Sequence, residues 1–482
     1  MLERVAFISI FKQGYGGGEG RAAHEFARRF ADTYDTALIV PGDTAGLVFD
    51  GTRLKVLQLR KVGKGNACVP LLSQENIRLL FGFLDEYDPD IVHAHDPALT
   101  GLLGQIWAKM RAKPFVHTSH ILPGMIMDFG AKEVANIPDG FLADAFTHDY
   151  MNSFYRNCDA IVALNQTMVD RFRQFGYTGR MFVIPNGRNL EQYSRCHNAD
   201  LGTKEINLTY IGFISRRKNQ VFLIEALSHL PSRYRLQIVG VPLNPAHLEQ
   251  LAQAVHQAGL DDRVVFPGEI SHKEIPALLE RTHVLVSASK MEVQSLVVIE
   301  ALASGTPVVG LANETVDELV DDTVGCRVPS EATPEEFARS VERICGLSQT
   351  EYDRLCENAR RRVETLDWSV VVGRTSDAYE KILEDAESFQ PDQTRLSKII
   401  DLVPSRPVRN FLHRRAADPE PGEKGMRSVP IRTWVFTSLS VALSMAVQLD
   451  RQRRAGILRR RHKGWPRTLP VLRRNMLRRG KH

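Results

Sequence analysis

The sequence predicts an α/β fold of two parallel-sheet domains in series, followed by a basic, helical C-terminal tail. From residue 4 to about 187, short runs rich in Val and Ile (5–11, 37–40, 91–95, 115–120, 161–164, 182–184) alternate with longer mixed segments, the rhythm of buried strands and crossover helices. A polar stretch, 192–205, breaks the pattern, which restarts at 208–213, 236–239, 264–266, 284–287 and 307–311. Charge is split as well: residues 391–482 hold 22 Lys and Arg against 6 Asp and Glu, a balance of +16, and the chain upstream carries −11.

The expected domains are therefore 1–190 and 205–366, then a closing helix at 367–388 and a tail at 391–482. With 43% hydrophobic and 25% charged residues, the 482-residue chain has ordinary globular, enzyme-sized composition. Its six cysteines form no CxxC pair and no zinc-like spacing, which fits a reduced cytoplasmic setting. The apolar start, 1–11, lacks a basic leader and runs into glycines, so it reads as a first strand rather than a signal peptide. Prolines 391, 404, 407, 419, 421 and 430 punctuate the tail, which is expected to be extended or partly disordered, with the compact body ending near 388.

After the first strand, Gly14, Gly16, Gly17, Gly18 and Gly20 lead into a helix with Ala22, Ala23, Phe26, Ala27 and Phe30 on one face. Such a loop lets a ligand approach backbone amides, and glycine loops also serve as plain turns. The strongest constellation spans 287–309, where Glu292 and Glu300 stand eight positions apart across a strand, a loop and a helix. Glu292 falls after a strand's carboxyl end. The helix start near Ser295 and Leu296 presents amides to a diphosphate, and Glu300 within the helix is an acceptor pair matched to vicinal hydroxyls.

This run, with Ala301, Gly305, Pro307 and Val308 after the second glutamate, resembles glycosyltransferase family four over residues 4–385. The same order holds for Asp90-Ile-Val-His-Ala-His95, Thr118-Ser-His120, Ile184-Pro-Asn186-Gly187, Gly212-Phe-Ile-Ser-Arg-Arg-Lys218 and the Trp368–Tyr379 segment. The resemblance implies a GT-B fold, two Rossmann-like domains facing a cleft. It further implies retaining, front-face transfer from a nucleotide-diphosphate sugar without cofactor or metal, the leaving phosphate helping to deprotonate the acceptor. Catalytic roles pass to His120 and Glu292, and donor binding to Gly17, Gly18, Asn186, Arg216, Arg217, Lys218, Ser295, Leu296 and Glu300. Positive side chains then stand in for magnesium on the diphosphate.

Two positions depart from the family. Phe213 stands where an arginine often follows the glycine, so Arg216 or Arg217 is expected to supply that charge beside Lys218. Ser295 replaces a common glycine and is small enough to cap the helix. His93, His95 and His117 read as packing or supporting residues.

In the tail, residues 434–449 form a 16-residue apolar run with a polar stripe of Thr437, Ser440, Ser444 and Gln448, followed by clustered arginines. Too short to span a bilayer, it is expected to lie on an anionic membrane surface, with nucleic acid as the competing partner. Segment 121–155, rich in Met, Phe and Tyr, suits an acceptor-side lid, a lipid-chain groove or ordinary core. The expected acceptor is lipid-linked, diacylglycerol or a lipid-linked saccharide; the alternatives are a soluble saccharide acceptor, a nucleotide-sugar epimerase, and a catalytically silent scaffold.

Overall fold

The computed structural model describes residues 2–10, 17–49, 51–61, 70–71, 73–97, 99–120, 150–193, 199–242, 245–385, 393–403 and 406–417. They divide into two compact units, 1–187 together with the described chain from 368 onward, and 188–367. The glycines at 14 and 16, most of segment 121–155 and the run 434–449 lie outside the described residues.

In the first unit, strands β1 (Arg4–Ile8), β2 (Asp35–Gly42), β3 (Gly46–Phe49), β4 (Lys55–Arg60), β5 (Ile91–Ala94), β6 (Phe115–Ser119), β7 (Ala160–Ala163) and β8 (Arg180–Val183) form one sheet. Its order is β3-β4-β2-β1-β5-β6-β7-β8, parallel except for β3. Helices α1 (Gly17–Ala31), α2 (Gln74–Tyr87), α3 (Leu99–Met110), α4 (Asn152–Arg156) and α5 (Gln166–Gln174) connect the strands. Val5, Ala6, Phe7 and Ile8 of β1 are fully buried because helices cover both faces of a parallel sheet. On α1, Ala22, Ala23, Phe26, Ala27 and Phe30 recur at helical spacing and are all buried; Phe26 and Phe30 both pack edge-on to Phe7.

The second unit carries β9 (Ile206–Ile211), β10 (Tyr234–Val239), β11 (Val264–Gly268), β12 (Val284–Ser287), β13 (Val308–Leu311) and β14 (Gly325–Val328). Their order is β11-β10-β9-β12-β13-β14, and every pair is parallel. Around them lie α6 (Gln220–Ser228), α7 (Pro245–Gln257), α8 (Ile275–Leu279), α9 (Leu296–Ser304), α10 (Glu314–Leu319), α11 (Pro334–Cys345) and α12 (Gln349–Arg362). The direction of chain progression reverses between β9 and β12, and crevices at such switch points, beyond the strands' carboxyl ends, are where open α/β sheets take ligands. Backbones come close there: a Cβ on Gly240 (φ 138°) would lie 1.9 Å from the Gly212 carbonyl oxygen, so only glycine fits.

After 367 the chain rejoins the first unit as α13 (Trp368–Glu384), α14 (Gln393–Asp401) and α15 (Arg406–Ala417). Trp368 meets Phe26 edge-on at 5.6 Å, and Tyr379 packs on Phe30 and His93.

Three features differ from the sequence reading. Strands β3, β4 and β14 stand beyond the expected runs, because alternating or charge-bearing segments such as Lys55–Arg60 and Gly325–Val328 lack the continuous apolar signature. The polar stretch expected as a linker packs into the second unit, where Tyr193, Ala199 and Leu201 are buried. The compact body also continues past 388: Leu396, Ile399, Ile400, Val403, Val408 and Leu412 are buried, α14 packs on α3, and Arg415 bonds Asp85 at 2.9 Å. Apolar residues at three- and four-residue spacing build these helices despite the flanking prolines.

Candidate active site

In the second unit, the 3₁₀ turn Arg216–Lys218 follows β9, and the loop carrying Glu292 follows β12, the adjacent strand. The Lys218 ammonium therefore reaches the Glu292 carboxylate and bonds Oε1, while Arg217 lies 3.6 Å from Oε2 and donates to the Met291 carbonyl at 2.6 Å. Arg216, on the same turn, points to solvent. Burial alone raises the Glu292 carboxyl, but the charges of Lys218 and Arg217 overcome it and hold the group below its ordinary range. Of the two arginines, Arg217 is the one that faces Glu292.

Helix α9 is anchored by its surroundings rather than by its own cap. Ser295 occupies the N-cap position but makes no side-chain capping bond; its amide donates instead to the Thr315 hydroxyl at 2.8 Å. The Glu292 amide donates to the Glu314 carboxylate at 3.0 Å, and Asn313 caps α10 while bonding the Ser289 carbonyl at 2.9 Å. With the Ser295 amide taken, the first-turn donors available to an anion begin at Leu296. Gly305 in the left-handed region (φ 81°) ends the helix.

Glu300, just over one turn into α9, is 3% exposed. Its Oε1 lies 3.3 Å from Arg188 Nε and 3.1 Å from His272 Nε2, and the buried Tyr193 phenol stands beside it. Burial of Tyr193, reinforced by the Glu300 charge, raises that phenol far above its usual pKa and keeps it neutral. A buried carboxylate held this way remains a strong acceptor for hydroxyl groups.

In the first unit, His120 follows β6 and its Nε2 shares a hydrogen bond with His95 Nδ1 at 3.2 Å. Burial, which disfavours the charged imidazolium, pushes His120 down to about 4, so its imidazole is neutral near pH 7. His93 bonds Thr118 at 2.7 Å and also the Tyr379 hydroxyl, and His117 bonds the Ala94 carbonyl at 3.0 Å. His93 and His117 thus support the strands, whereas His95 partners His120 directly.

Of the residues expected to form the site, the second unit brings Arg217, Lys218, Glu292, Ser295 and Leu296 together at the β9–β12 switch, with Glu300 farther along α9. His120, Asn186, Gly17 and Gly18 belong to the first unit: Gly17 and Gly18 open α1, and Asn186 is buried after β8. Sequence reasoning missed Arg188, Tyr193, His272, Glu314 and Thr315, none of which sits in a local motif. Among the described residues, no cluster of three or more His, Cys, Asp or Glu is arranged to hold a metal ion, and no helix is long and apolar enough to cross a membrane.

Two Rossmann-like sheet units in series define the GT-B class of glycosyltransferase. The family described as Glycosyl transferases group 1 matches residues 198–362, and Glycosyltransferase Family 4 matches residues 16–192. The chain belongs to glycosyltransferase family four. It is 27% identical to an alpha-monoglucosyldiacylglycerol synthase of Streptococcus pneumoniae over 49% of this chain and 55% of that protein. A D-inositol 3-phosphate glycosyltransferase of Streptomyces griseus is 27% identical over 61% of this chain and 68% of its own. These matches span about half to two thirds of the relatives' lengths. The fold is shared with Anabaena HepE, solved in complex with UDP, at TM-score 0.61 and 18% identity over 79% of this chain and all of that one (100%).

Proposed function

We propose that the protein moves a sugar, with retention, from a nucleotide-diphosphate sugar to a lipid-linked or membrane-associated acceptor such as diacylglycerol. The observation that carries the donor half is the pairing of Lys218 and Arg217 with Glu292 beside the first turn of α9. Two cations and a helix N-terminus form a ready counter-charge for a diphosphate leaving group. Binding re-partners Lys218 from Glu292 to the phosphates; Glu292 then faces the transferred sugar's hydroxyls, and Glu300 accepts from the ribose.

In the transfer, the acceptor oxygen bonds to the anomeric carbon as the carbon–oxygen bond to phosphate breaks. The electron pair goes to the diphosphate, stabilised by Lys218 and Arg217, and the acceptor proton passes to a phosphate oxygen. Neutral His120 serves as a hydrogen-bonding partner for sugar or acceptor hydroxyls rather than as a charge. The retaining outcome follows the family reading.

A lipid acceptor is supported by the diacylglycerol-acting relative and by the +16 balance of residues 391–482, which favours attachment to an anionic membrane at the cytoplasmic face. The inositol-phosphate relative favours a second reading, a soluble polyol acceptor. Incubating the protein with UDP-glucose and either diacylglycerol vesicles or soluble polyol phosphates separates them: glycolipid formation supports the first, and product only with soluble acceptor overturns it.

A further inference from the structure

Three elements of the second unit converge on Glu300: α9 itself, the segment that opens the unit with Arg188 and Tyr193, and the 3₁₀ turn His272–Glu274 after β11. That turn is held by a capping box, in which the Glu274 carboxylate accepts from the Ser271 amide at 3.1 Å and the Ser271 hydroxyl accepts from the Lys273 amide. His272 is therefore delivered by a fixed backbone. Its Nε2 and Arg188 Nε both meet the same oxygen, Oε1, with the Tyr193 phenol beside the carboxylate.

The two donors are not equivalent. Arg188 and Glu300 side chains are each 4% exposed, so the guanidinium already compensates the buried charge. The His272 side chain, at 36% exposure, adds little to stability from where it sits. What a directional hydrogen bond from His272 adds to that ion pair is a fixed carboxylate plane.

Resting on the donor-site reading above, we propose that His272 is a positioning residue for nucleotide binding: its Nε2–H holds Oε1 of Glu300 so that the carboxylate accepts from a ribose hydroxyl. His272→Ala removes this bond, whereas His272→Gln places an amide donor near the same point. A charge-assisted hydrogen bond of this kind is worth roughly tenfold in affinity.

The test measures the affinity of the full chain for UDP, ADP and GDP by calorimetry and, with the tightest, compares Glu300→Gln, His272→Ala and His272→Gln. The expected results are marked weakening in Glu300→Gln, roughly tenfold weakening in His272→Ala, and recovery to within about threefold in His272→Gln. In turnover, His272→Ala raises the donor KM by the same factor and leaves kcat within about twofold. Unchanged affinity in His272→Ala while Glu300→Gln is weak overturns the role of His272. Equal loss in His272→Ala and His272→Gln overturns the hydrogen bond as its cause. If the parent binds no nucleotide, or Glu300→Gln binds as the parent does, the donor-site reading itself falls.

Discussion

Replacing Glu300 by alanine strands the Arg188 guanidinium in a site where both side chains are 4% exposed. Removing one partner of a buried ion pair costs about 3–5 kcal/mol, because the survivor keeps its desolvation penalty without its counter-charge. For a domain of this size each kcal/mol lowers Tm by about 2–4 °C, so Glu300→Ala should melt about 6–20 °C below the parent. Glu300→Gln keeps an acceptor for Arg188 and should lose less. The double variant Arg188→Met/Glu300→Leu, which removes both charges, should recover most of the loss, a non-additivity expected of directly coupled groups. Thermal melting of the four proteins checks this by circular dichroism. A Glu300→Ala protein within about 2 °C of the parent, or a double variant no better than the single, would refute the buried-pair argument.

Lys218→Ala should lower kcat/KM by about 10²-fold or more in steady-state transfer assays, since the leaving diphosphate loses a counter-charge. His120→Ala should impair transfer while nucleotide affinity, measured by calorimetry, stays near the parent value, because His120 belongs to the first unit. The depressed Glu292 carboxyl contributes stability that is present above its ordinary pKa of 4.5 and is lost as pH falls through the lowered folded value. Lys218→Met should therefore move the acid-unfolding midpoint to higher pH, and an unmoved midpoint would deny the coupling. A chain cut after Ala417 should keep donor binding and lose co-sedimentation with anionic vesicles, while salt weakens vesicle binding by the full chain; a cut near 389 would also strip α14 and α15 from Trp107 and Phe81.

Much of the fold was legible because parallel strands are covered on both faces and so read as continuous apolar runs, as in Val5–Ile8 and Phe115–Ser119. The half-covered β4 and the exposed β3, with Phe49 80% exposed, carry no such signature. Helices α14 and α15 were hidden by prolines and arginines that weigh on composition but not on the buried stripe Leu396, Ile399, Ile400, Val403. At the site, Glu292 and Glu300 were legible because a strand, a loop and one helix fix their separation locally. Arg188 and His272 were not: His272 meets Glu300 across 28 positions, and only the sheet order brings those elements together. The choice of Arg217 over Arg216 likewise depends on how a single turn of 3₁₀ helix faces the neighbouring strand.

The donor site has a function only if the chain uses it to transfer sugar to an acceptor. Release of UDP from UDP-glucose by the full-length protein, followed with and without anionic vesicles containing diacylglycerol, tests it most directly. UDP release should depend on the vesicles, match glycolipid formed one for one, and fall about 10²-fold or more in Lys218→Ala. UDP bound by the protein yet never released as product, with vesicles or with soluble acceptors and whichever sugar the nucleotide carries, would contradict it.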